Sequence, residues 1–251
     1  MVKSLGKAAN TRFNAKTVLI SGGTSGIGKA AVIELLKNGF NVSTFSTNKG
    51  KCDLLEKEQN KFRSKLFVQY GDVKQEKDLK RIVDSTLKRF GSIDILINNA
   101  GYGYFVESDK VDFKKFEDML QVNLIGLSRL VSLVVPHMKK KKEGLIINIA
   151  STAGKTSYPL GEFYSSTKFA VMGYSEGLRK ELKEYGIKVS TICPGMIKTN
   201  FFKKEEIERR TKLNDGKSPV MLQVEDISRI IVFICAQSDN CDIQDLAVMP
   251  F

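Results

Sequence analysis

Tyr164 and Lys168 are the two side chains in this sequence whose types and spacing best suit acid–base chemistry. In a helix, residues four apart project from one face, one turn apart. An ammonium beside a phenol favours the phenolate, so we expect the phenol pKa to fall below its usual value of about 10. Such a pair could exchange a proton with an alcohol or carbonyl oxygen near neutral pH. Because the same spacing arises by chance on amphipathic helices, the assignment depends on the surrounding elements.

A glycine-rich stretch near the N-terminus strengthens the assignment. Residues 16–21 form a short apolar run that predicts a buried parallel strand, and residues 29–38 predict a helix that Gly39 ends. A glycine-rich turn between a strand and a helix lets the backbone approach a pyrophosphate, which rests on the helix N-terminus. A flexible loop is the alternative, but this context favours dinucleotide binding. The predicted contacts of the turn are Gly22, Thr24, Ser25, Gly26, Ile27 and Gly28.

The end of the second predicted strand, residues 41–45, indicates which dinucleotide is bound. An acidic residue at this place accepts a hydrogen bond from the adenosine 2′-hydroxyl and repels a 2′-phosphate. Here the chain has Ser46, Thr47 and Asn48, with Lys49 and Lys51 close by and no carboxylate. The sequence therefore predicts NADP rather than NAD.

Strands and helices alternate along the rest of the chain. Further strands are predicted at 66–70, 93–97, 145–149, 187–192 and 246–249, and helices at 54–62, 77–90, 112–138, 162–185 and 224–235. This order predicts a single α/β domain over residues 16–251, a doubly wound parallel sheet of the Rossmann type with helices on both faces. Residues 1–15 are expected to form a tail. Residues 199–223 are the least regular and predict a mobile substrate lid, with a solvated helix at 205–210.

Ligands of such sheets bind outside the carboxyl ends of the strands. Ser151 follows the fifth strand and precedes Tyr164 by 13 positions (164 − 151), enough chain to bring both hydroxyls to one carbonyl oxygen. Further cofactor contacts are predicted at this edge: Asp72, Val73, Asn99, Ala100, Gly101, Pro194, Gly195, Ile197 and Thr199, together with Tyr164 and Lys168.

From residue 17 onward the chain resembles the short-chain dehydrogenase/reductase family in its single-domain form. The glycine motif of that family matches residues 21–28 with Ser21 in place of threonine, its N-N-A-G motif matches residues 98–101, and its P-G pair matches residues 194–195. The helix asparagine, serine, tyrosine and lysine of the family match Asn123, Ser151, Tyr164 and Lys168.

The resemblance implies roles for these four residues. Tyr164 is expected to be the general acid in reduction and the base in oxidation, and Lys168 is expected to lower its pKa and bind the nicotinamide ribose. Ser151 is expected to orient the substrate carbonyl, and Asn123 to hold a water in a proton relay. The hydride comes from the cofactor, and no metal is required.

The substrate is less well defined. Candidate pocket residues are Tyr102, Tyr104, Thr152, Ala153, Tyr158, Phe163, Met196, Phe201 and Phe202. The C-terminal residues 242–250 resemble the branch of NADP-dependent 3-hydroxy acid and serine dehydrogenases, which favours a small 3-hydroxy acid or a similar alcohol. The alternative is a 3-oxoacyl-acyl-carrier-protein reductase. A third hypothesis is a non-catalytic NADP-sensing regulator, although such proteins commonly lose the tyrosine or the lysine.

Composition argues against several other classes. The net charge of +12 comes from lysines spread along the chain, so we expect no nucleic-acid partner. The four cysteines form no C-x-x-C pair and there is one histidine, so we expect no metal site. No apolar run reaches the roughly 18–20 residues of a membrane span, and no secretory signal is present, so a cytoplasmic location is expected. The resemblance implies a homodimer or homotetramer acting on a small-molecule substrate.

Overall fold

The structure is a computed structural model that describes residues 16–202, 204–213 and 216–251. The predicted tail at residues 1–15 lies outside the described residues, as do Lys203, Asn214 and Asp215 within the predicted lid.

Within the described residues, seven parallel strands form one sheet in the order β3-β2-β1-β4-β5-β6-β7. The strands are β1 (Thr17–Ser21), β2 (Asn41–Ser46), β3 (Leu66–Tyr70), β4 (Ile95–Asn98), β5 (Gly144–Ile149), β6 (Ile187–Pro194) and β7 (Asp245–Val248). The order reverses direction at β1, because β2 and β3 lie on one side of it and β4 to β7 on the other. This topology confirms the predicted doubly wound parallel sheet.

Two apolar cores cover the two faces of the sheet. On one face Val18 and Ile20 of β1 pack with helices α1 (Gly26–Lys37), α2 (Lys49–Glu58) and α8 (Val224–Cys235). On the other face Leu19 packs with helices α3 (Glu76–Phe90), α5 (Leu127–Lys141) and α6 (Glu162–Leu182). Alternate residues of one strand thus point into different cores, which explains why β1 is buried along its whole length.

The predicted helix at 112–138 differs in detail from the structure. Helix α4 (Phe113–Leu120) runs into a π-helical turn (Gln121–Gly126), and α5 then continues to Lys141. A π-helical turn inserts an extra residue into the helix, a feature found frequently at functional sites. Asn123 lies in this turn. The remaining helix, α7 (Lys204–Leu213), corresponds to the helix predicted at 205–210.

The continuous helical stretch Phe113–Lys141 is also long and apolar enough to cross a membrane by composition, with a mean hydropathy of 1.5 over its most apolar window. Of that window, 44% is buried inside the protein. Its residues Leu130, Val131 and Val134 pack in the second core beside α3 and the sheet.

Candidate active site

A cavity of about 1170 Å³ runs along the carboxyl ends of the strands. The glycine turn after β1 and the residues that follow β2 and β3 line one end of it, while Ser151 and Tyr164 line the other. Most of the predicted site residues line this cavity: Gly22, Ser25, Gly26, Ile27, Ser46, Thr47, Asp72, Val73, Asn99, Ala100, Gly101, Ser151, Tyr164, Lys168, Pro194, Gly195, Ile197 and Thr199. Thr24, Gly28, Asn48 and Asn123 do not line it.

Glycine is required in the turn for two reasons. Gly22 and Gly26 have φ values of 70° and 52°, in the left-handed region that side chains disfavour. A Cβ on Gly28 would lie 2.3 Å from the Gly22 carbonyl oxygen, so any side chain there would push the helix away from the turn. Gly28 thus supports the site from behind the cavity wall, which is the close-packing role expected of the last glycine in such a motif.

Ser21 and Asn99 fix the turn to the end of β4. The Ser21 hydroxyl accepts hydrogen bonds from the backbone amides of Asn99 and Ala100, both at 3.0 Å. The Asn99 side-chain amide donates to the carbonyls of Ser21 at 3.0 Å and Gly22 at 3.2 Å. Serine in place of threonine therefore retains the hydroxyl that holds the two loops together.

The start of α1 has the features of an anion site. Ser25 occupies the N-cap position, but its side chain makes no capping hydrogen bond. The first turn contains no acidic residue, and the N-terminus of the helix carries the positive pole of the helix dipole. With the glycine backbone beside it, this helix end fits the pyrophosphate of a dinucleotide.

Ser46, Thr47 and Lys51 line the cavity near the end of β2. Asn48 is the N-cap of α2, and its side-chain oxygen accepts from the Lys51 amide at 2.9 Å. Its contact with the ribose stays a prediction. The Asn48 amide in turn donates to the Ser46 hydroxyl at 3.2 Å. The lining residues that follow β2 are thus two hydroxyls and one ammonium, which a 2′-phosphate would meet here.

An ion pair borders the cavity beyond β3. Lys74 Nζ lies 2.7 Å from Asp118 of α4, and this hydrogen bond lowers the pKa of the carboxyl and raises the pKa of the ammonium. The Tyr102 hydroxyl donates to the same carboxylate at 2.9 Å. Burial and this hydrogen bond raise the pKa of Tyr102, which is therefore a neutral phenol at physiological pH. Asp72 accepts from the Lys74 amide at 2.9 Å, an Asx turn that shapes the loop.

Tyr164 and Lys168 lie side by side on α6 and are both buried, with 5% and 6% of their surfaces exposed. The ammonium of Lys168 lies 5.8 Å from the centroid of the Tyr164 ring and donates to the Ile149 carbonyl at 2.9 Å. Burial lowers the pKa of Lys168 to about 8, because the charged form loses its hydration. The lysine charge is thus held next to the phenol and titrates near physiological pH.

Ser151 follows β5 and lines the cavity together with Tyr164. Its hydroxyl oxygen accepts a hydrogen bond from the Ala153 amide at 3.1 Å, within the short helical turn Thr152–Gly154. Because this bond uses a lone pair of the oxygen, the hydroxyl proton can still be donated to a ligand.

Asn123 is 1% exposed and connects three segments. Its side-chain oxygen accepts from the Tyr102 amide at 3.0 Å, and its side-chain nitrogen donates to the Tyr102 carbonyl at 2.9 Å and to the Thr167 hydroxyl at 3.1 Å. Thr167 lies on α6 between Tyr164 and Lys168. The side chain of Asn123 therefore binds protein groups and holds the loop after β4 against the helix of Tyr164.

Aromatic rings surround the Tyr164 end of the cavity. Phe105 and Phe201 each lie 5.5 Å from the Tyr164 ring, centroid to centroid, in edge-on contacts. Of the predicted pocket residues, Tyr102, Thr152, Tyr158, Met196, Phe201 and Phe202 line the cavity, whereas Tyr104, Ala153 and Phe163 do not. Phe105 packs against Tyr164 without lining the cavity and was not predicted. Its only signal is its position in the aromatic stretch of residues 102–105, just after the N-N-A-G motif.

Thr199 brings the start of the predicted lid against the glycine turn. The position of a Cβ on Gly26 would be 3.5 Å from Thr199 Cγ2. The mobility predicted for residues 199–223 stays a prediction.

Among the described residues, no three His, Cys, Asp or Glu side chains come together in a way that could hold a metal ion.

Comparison with known proteins agrees with this geometry. Residues 16–210 match the family model described as short chain dehydrogenase. The match covers more than half of the sequence, and the chain belongs to this family of oxidoreductases.

Three curated relatives span nearly the whole chain. It is 31% identical to the NADP-dependent 3-hydroxy acid dehydrogenase of Schizosaccharomyces pombe, over 96% of this chain and 94% of the relative. The mouse L-fucose dehydrogenase is 32% identical, over 96% and 89%. The 3-oxoacyl-acyl-carrier-protein reductase of Thermotoga maritima is 29% identical, over 91% and 94%.

Among solved structures, the closed form of serine dehydrogenase complexed with NADP+ superposes with a TM-score of 0.84 at 27% identity, covering 93% of this chain and 94% of that one.

Proposed function

We propose that this protein transfers a hydride between NADP(H) and a carbonyl or secondary alcohol substrate. One observation carries the proposal: the buried Tyr164–Lys168 pair lines the same cavity as the glycine turn and the uncapped start of α1. A proton donor and a dinucleotide site in one cleft are the two requirements of this reaction.

The roles of the side chains follow from their positions. Tyr164 gives its hydroxyl proton to the carbonyl oxygen in reduction and accepts it in oxidation. Ser151 donates a hydrogen bond to the same oxygen and stabilises the charge that develops there. Lys168 keeps a positive charge beside the phenol. Asn123 holds the Tyr102 loop against α6, so it is a positioning residue. A water of the proton relay would bind beside it.

The cofactor proposal is NADP. The residues fit a dinucleotide because a Cβ on Gly23 or Gly28 would clash with its surroundings, and the start of α1 offers free backbone donors. Gly22, Ser25, Gly26 and Ile27 would hold the pyrophosphate, and Ser46, Thr47 and Lys51 would hold a 2′-phosphate. When bound, the nicotinamide supplies or accepts the hydride. The names of the yeast relative and of the serine dehydrogenase structure support NADP.

The relatives suggest two substrates of this class. The yeast relative and the serine dehydrogenase favour a small 3-hydroxy acid or a similar alcohol, as the sequence did. The bacterial relative favours a 3-oxoacyl group on an acyl carrier protein. A non-catalytic NADP-sensing regulator is disfavoured because Tyr164 and Lys168 are both present and adjacent.

Three further proposals concern the setting of the enzyme. We infer a cytoplasmic location, assembly into a homodimer or homotetramer, and a lid near residues 199–223 that covers the substrate. No nucleic-acid or membrane partner is part of the proposal.

The test combines cofactor binding with turnover. NADPH binding is measured by calorimetry, and NADPH oxidation is followed by absorbance with aldehydes, ketones and β-keto esters. We expect binding and turnover of at least one carbonyl compound. A protein that binds neither NADPH nor NADP+ and turns over none of the panel would refute the proposal.

A further inference from the structure

Asp118 of α4 binds two other side chains of the cavity wall at once. One carboxylate oxygen accepts from Lys74 Nζ at 2.7 Å, and the other accepts from the Tyr102 hydroxyl at 2.9 Å. Lys74 lies in the loop after β3 and Tyr102 in the loop after β4, and all three residues line the cavity. We call Lys74, Tyr102 and Asp118 the Asp118 cluster. It joins two loops of the cleft to one helix.

The two bonds of the Asp118 cluster differ in what they contribute. The side chains of Lys74 and Asp118 are 33% and 45% exposed, and an ion pair this open to water adds little to stability. The Tyr102 hydroxyl meets an ionised acceptor, because the hydrogen bond from Lys74 lowers the pKa of the carboxyl. Hydrogen bonds to an ionised group are roughly twice as strong as neutral ones. Loss of Asp118 should therefore release the Tyr102 hydroxyl and leave the fold intact.

Tyr102 is held both by its backbone and by its phenol. Its amide and carbonyl pair with the Asn123 side chain at 3.0 and 2.9 Å, and Asn123 also donates to Thr167 on α6. Its hydroxyl is within reach of Asp118 and, at 3.2 Å, of the Lys115 carbonyl, both on α4. The backbone contacts thus tie the loop after β4 to α6, and the phenol contacts tie it to α4.

The loop that Tyr102 anchors lies against the ammonium of Lys168. A Cβ on Gly101 would be 3.7 Å from Lys168 Nζ and 3.0 Å from the Asn123 side-chain oxygen. Lys168 is 6% exposed and donates to the Ile149 carbonyl at the end of β5. The loop after β4 and the end of β5 are therefore two of the surfaces that keep water from this ammonium.

Two titratable side chains face the Lys168 ammonium. The Tyr164 ring on α6 lies 5.8 Å from it, centroid to nitrogen, and the Cys193 thiol of β6 is close enough to interact with its charge. Burial raises the pKa of Cys193, so this thiol is neutral near physiological pH. The groups that the loop after β4 and the end of β5 bring to it do not titrate: Gly101 and the Ile149 carbonyl.

We propose that Asp118 and Tyr102 are positioning residues that hold the loop after β4 against Lys168 and so limit the access of water to its ammonium. Asp118 acts through the Tyr102 hydroxyl, and Lys74 keeps the carboxylate ionised and in place. The inference rests on the proposed function and adds to it two residues that act through Lys168.

Three substitutions measure the effect on turnover with a carbonyl compound that the wild type reduces. Tyr102→Phe removes only the hydroxyl, and it should lower kcat/KM about three- to tenfold. Asp118→Ala should cause a smaller loss, because the Lys115 carbonyl remains as an acceptor. Asp118→Asn retains an acceptor oxygen without the charge and should restore part of that loss. Asp118→Ala added to Tyr102→Phe should lower kcat/KM no further.

The pH profile separates this role from a general packing defect. Water admitted to Lys168 raises its pKa from about 8 toward 10.5. The alkaline decline of kcat/KM should therefore move upward by at least about half a pH unit in Tyr102→Phe and in Asp118→Ala. Water admitted to the Tyr164 phenol would move it downward, because hydration favours the phenolate.

The matched control is Glu181→Ala. Glu181 binds Lys139 at 2.8 Å and so joins α5 to α6 by an exposed ion pair, but neither residue lines the cavity. This variant loses an ion pair of the same kind as the one between Lys74 and Asp118. It should keep the kcat/KM and the pH profile of the wild type.

Different outcomes separate the two proposals. The inference is overturned by an alkaline midpoint that stays in place or moves downward in both variants, and by a wild-type profile without an alkaline decline. Additive losses in the double variant would also overturn it, since Asp118 would then not act through Tyr102. NADPH binding and turnover by the wild type leave the proposed function standing in each of these cases. If the wild type binds no NADPH and reduces no carbonyl compound, the proposed function itself fails.

Discussion

The two ends of the cavity are built on different principles. At the cofactor end, the surface is mainly backbone: the glycine turn, the start of α1 and the Asn99 bridge that ties the turn to β4. At the substrate end, the surface is made of large side chains on helix α6 and on the loops that follow β4, β5 and β6. One end excludes side chains so that a pyrophosphate can approach the chain, whereas the other uses them to shape a pocket.

This difference explains why the two ends respond differently to substitution. A surface made of backbone tolerates few substitutions. Even one added carbon at Gly28 would lie 2.3 Å from a carbonyl oxygen. A surface of rings can be repacked with other rings or aliphatic groups at a modest cost. We expect the cofactor end to tolerate little change and the substrate end to vary in specificity.

The largest effect is expected from Tyr164→Phe, which removes one hydroxyl at the substrate end. Removing the hydroxyl removes the proton donor, so kcat/KM for carbonyl reduction should fall by about a hundredfold to ten-thousandfold. NADPH affinity, measured by calorimetry, should stay close to that of the wild type. Tyr185→Phe, outside the cavity, is the control. Near-normal turnover by Tyr164→Phe would show that another group donates the proton.

Gly28→Ala should have the opposite effect, because it should weaken cofactor binding. The added methyl group pushes the start of α1 away from Gly22, so NADPH affinity should fall about tenfold to a hundredfold. Gly177→Ala on α6 is the control, since a Cβ there meets nothing within 4 Å. That control should bind NADPH normally and raise the free energy of unfolding by up to about 1 kcal/mol. Equal NADPH affinities of the two variants would contradict the role of Gly28.

Lys168 lies between the two ends, and its titration should affect activity. Burial lowers its pKa to about 8, so the ammonium beside Tyr164 is lost as the pH rises through that value. We expect kcat/KM for reduction to decline above about pH 8, approaching tenfold per pH unit. A pH profile that stays flat from 7 to 10 would exclude a role for this charge.

The same shift has a consequence for stability, with a defined sign. Between about pH 8 and the ordinary lysine pKa of 10.5, the unfolded chain holds the Lys168 proton and the folded chain has released it. The contribution of Lys168 to the free energy of unfolding therefore rises with pH across this window. Lys168→Met should remove that rise in chemical denaturation experiments. An identical pH dependence of the two proteins would contradict the lowered pKa.

The smallest effect is expected at the adenosine end. Ser46→Asp places a carboxylate where a 2′-phosphate would bind, so the ratio of NADPH to NADH efficiency should fall about fivefold. Ser46→Asn adds similar bulk without charge and should change the ratio less. An unchanged ratio in Ser46→Asp would remove Ser46 from the ribose site.

The fold was easier to predict from the sequence than the site. The strands and the helices between them are local patterns, and the parallel sheet confirms the predicted architecture. Asn48 could not be placed from sequence, because an asparagine can serve equally well as a ligand contact or as the N-cap that the structure shows. The π-helical turn was not predicted, and its Asn123 bonds to Tyr102, a tertiary contact that no local pattern reveals. Phe105 was missed because only the folded loops bring its ring to Tyr164.

One hydrogen bond of the substrate end bears on the order in which the protein folds. The Val106 amide donates to the Leu160 carbonyl at 3.2 Å and joins two loops that are 54 residues apart (160 − 106), with Leu160 held at a left-handed φ of 63°. Such a contact closes a long loop of chain, which costs conformational entropy. We expect that cost to be offset only after β4 and β5 have paired. The pocket around Tyr164 should therefore assemble late, on a sheet that already carries the cofactor end, and be among the first parts of the native protein to open.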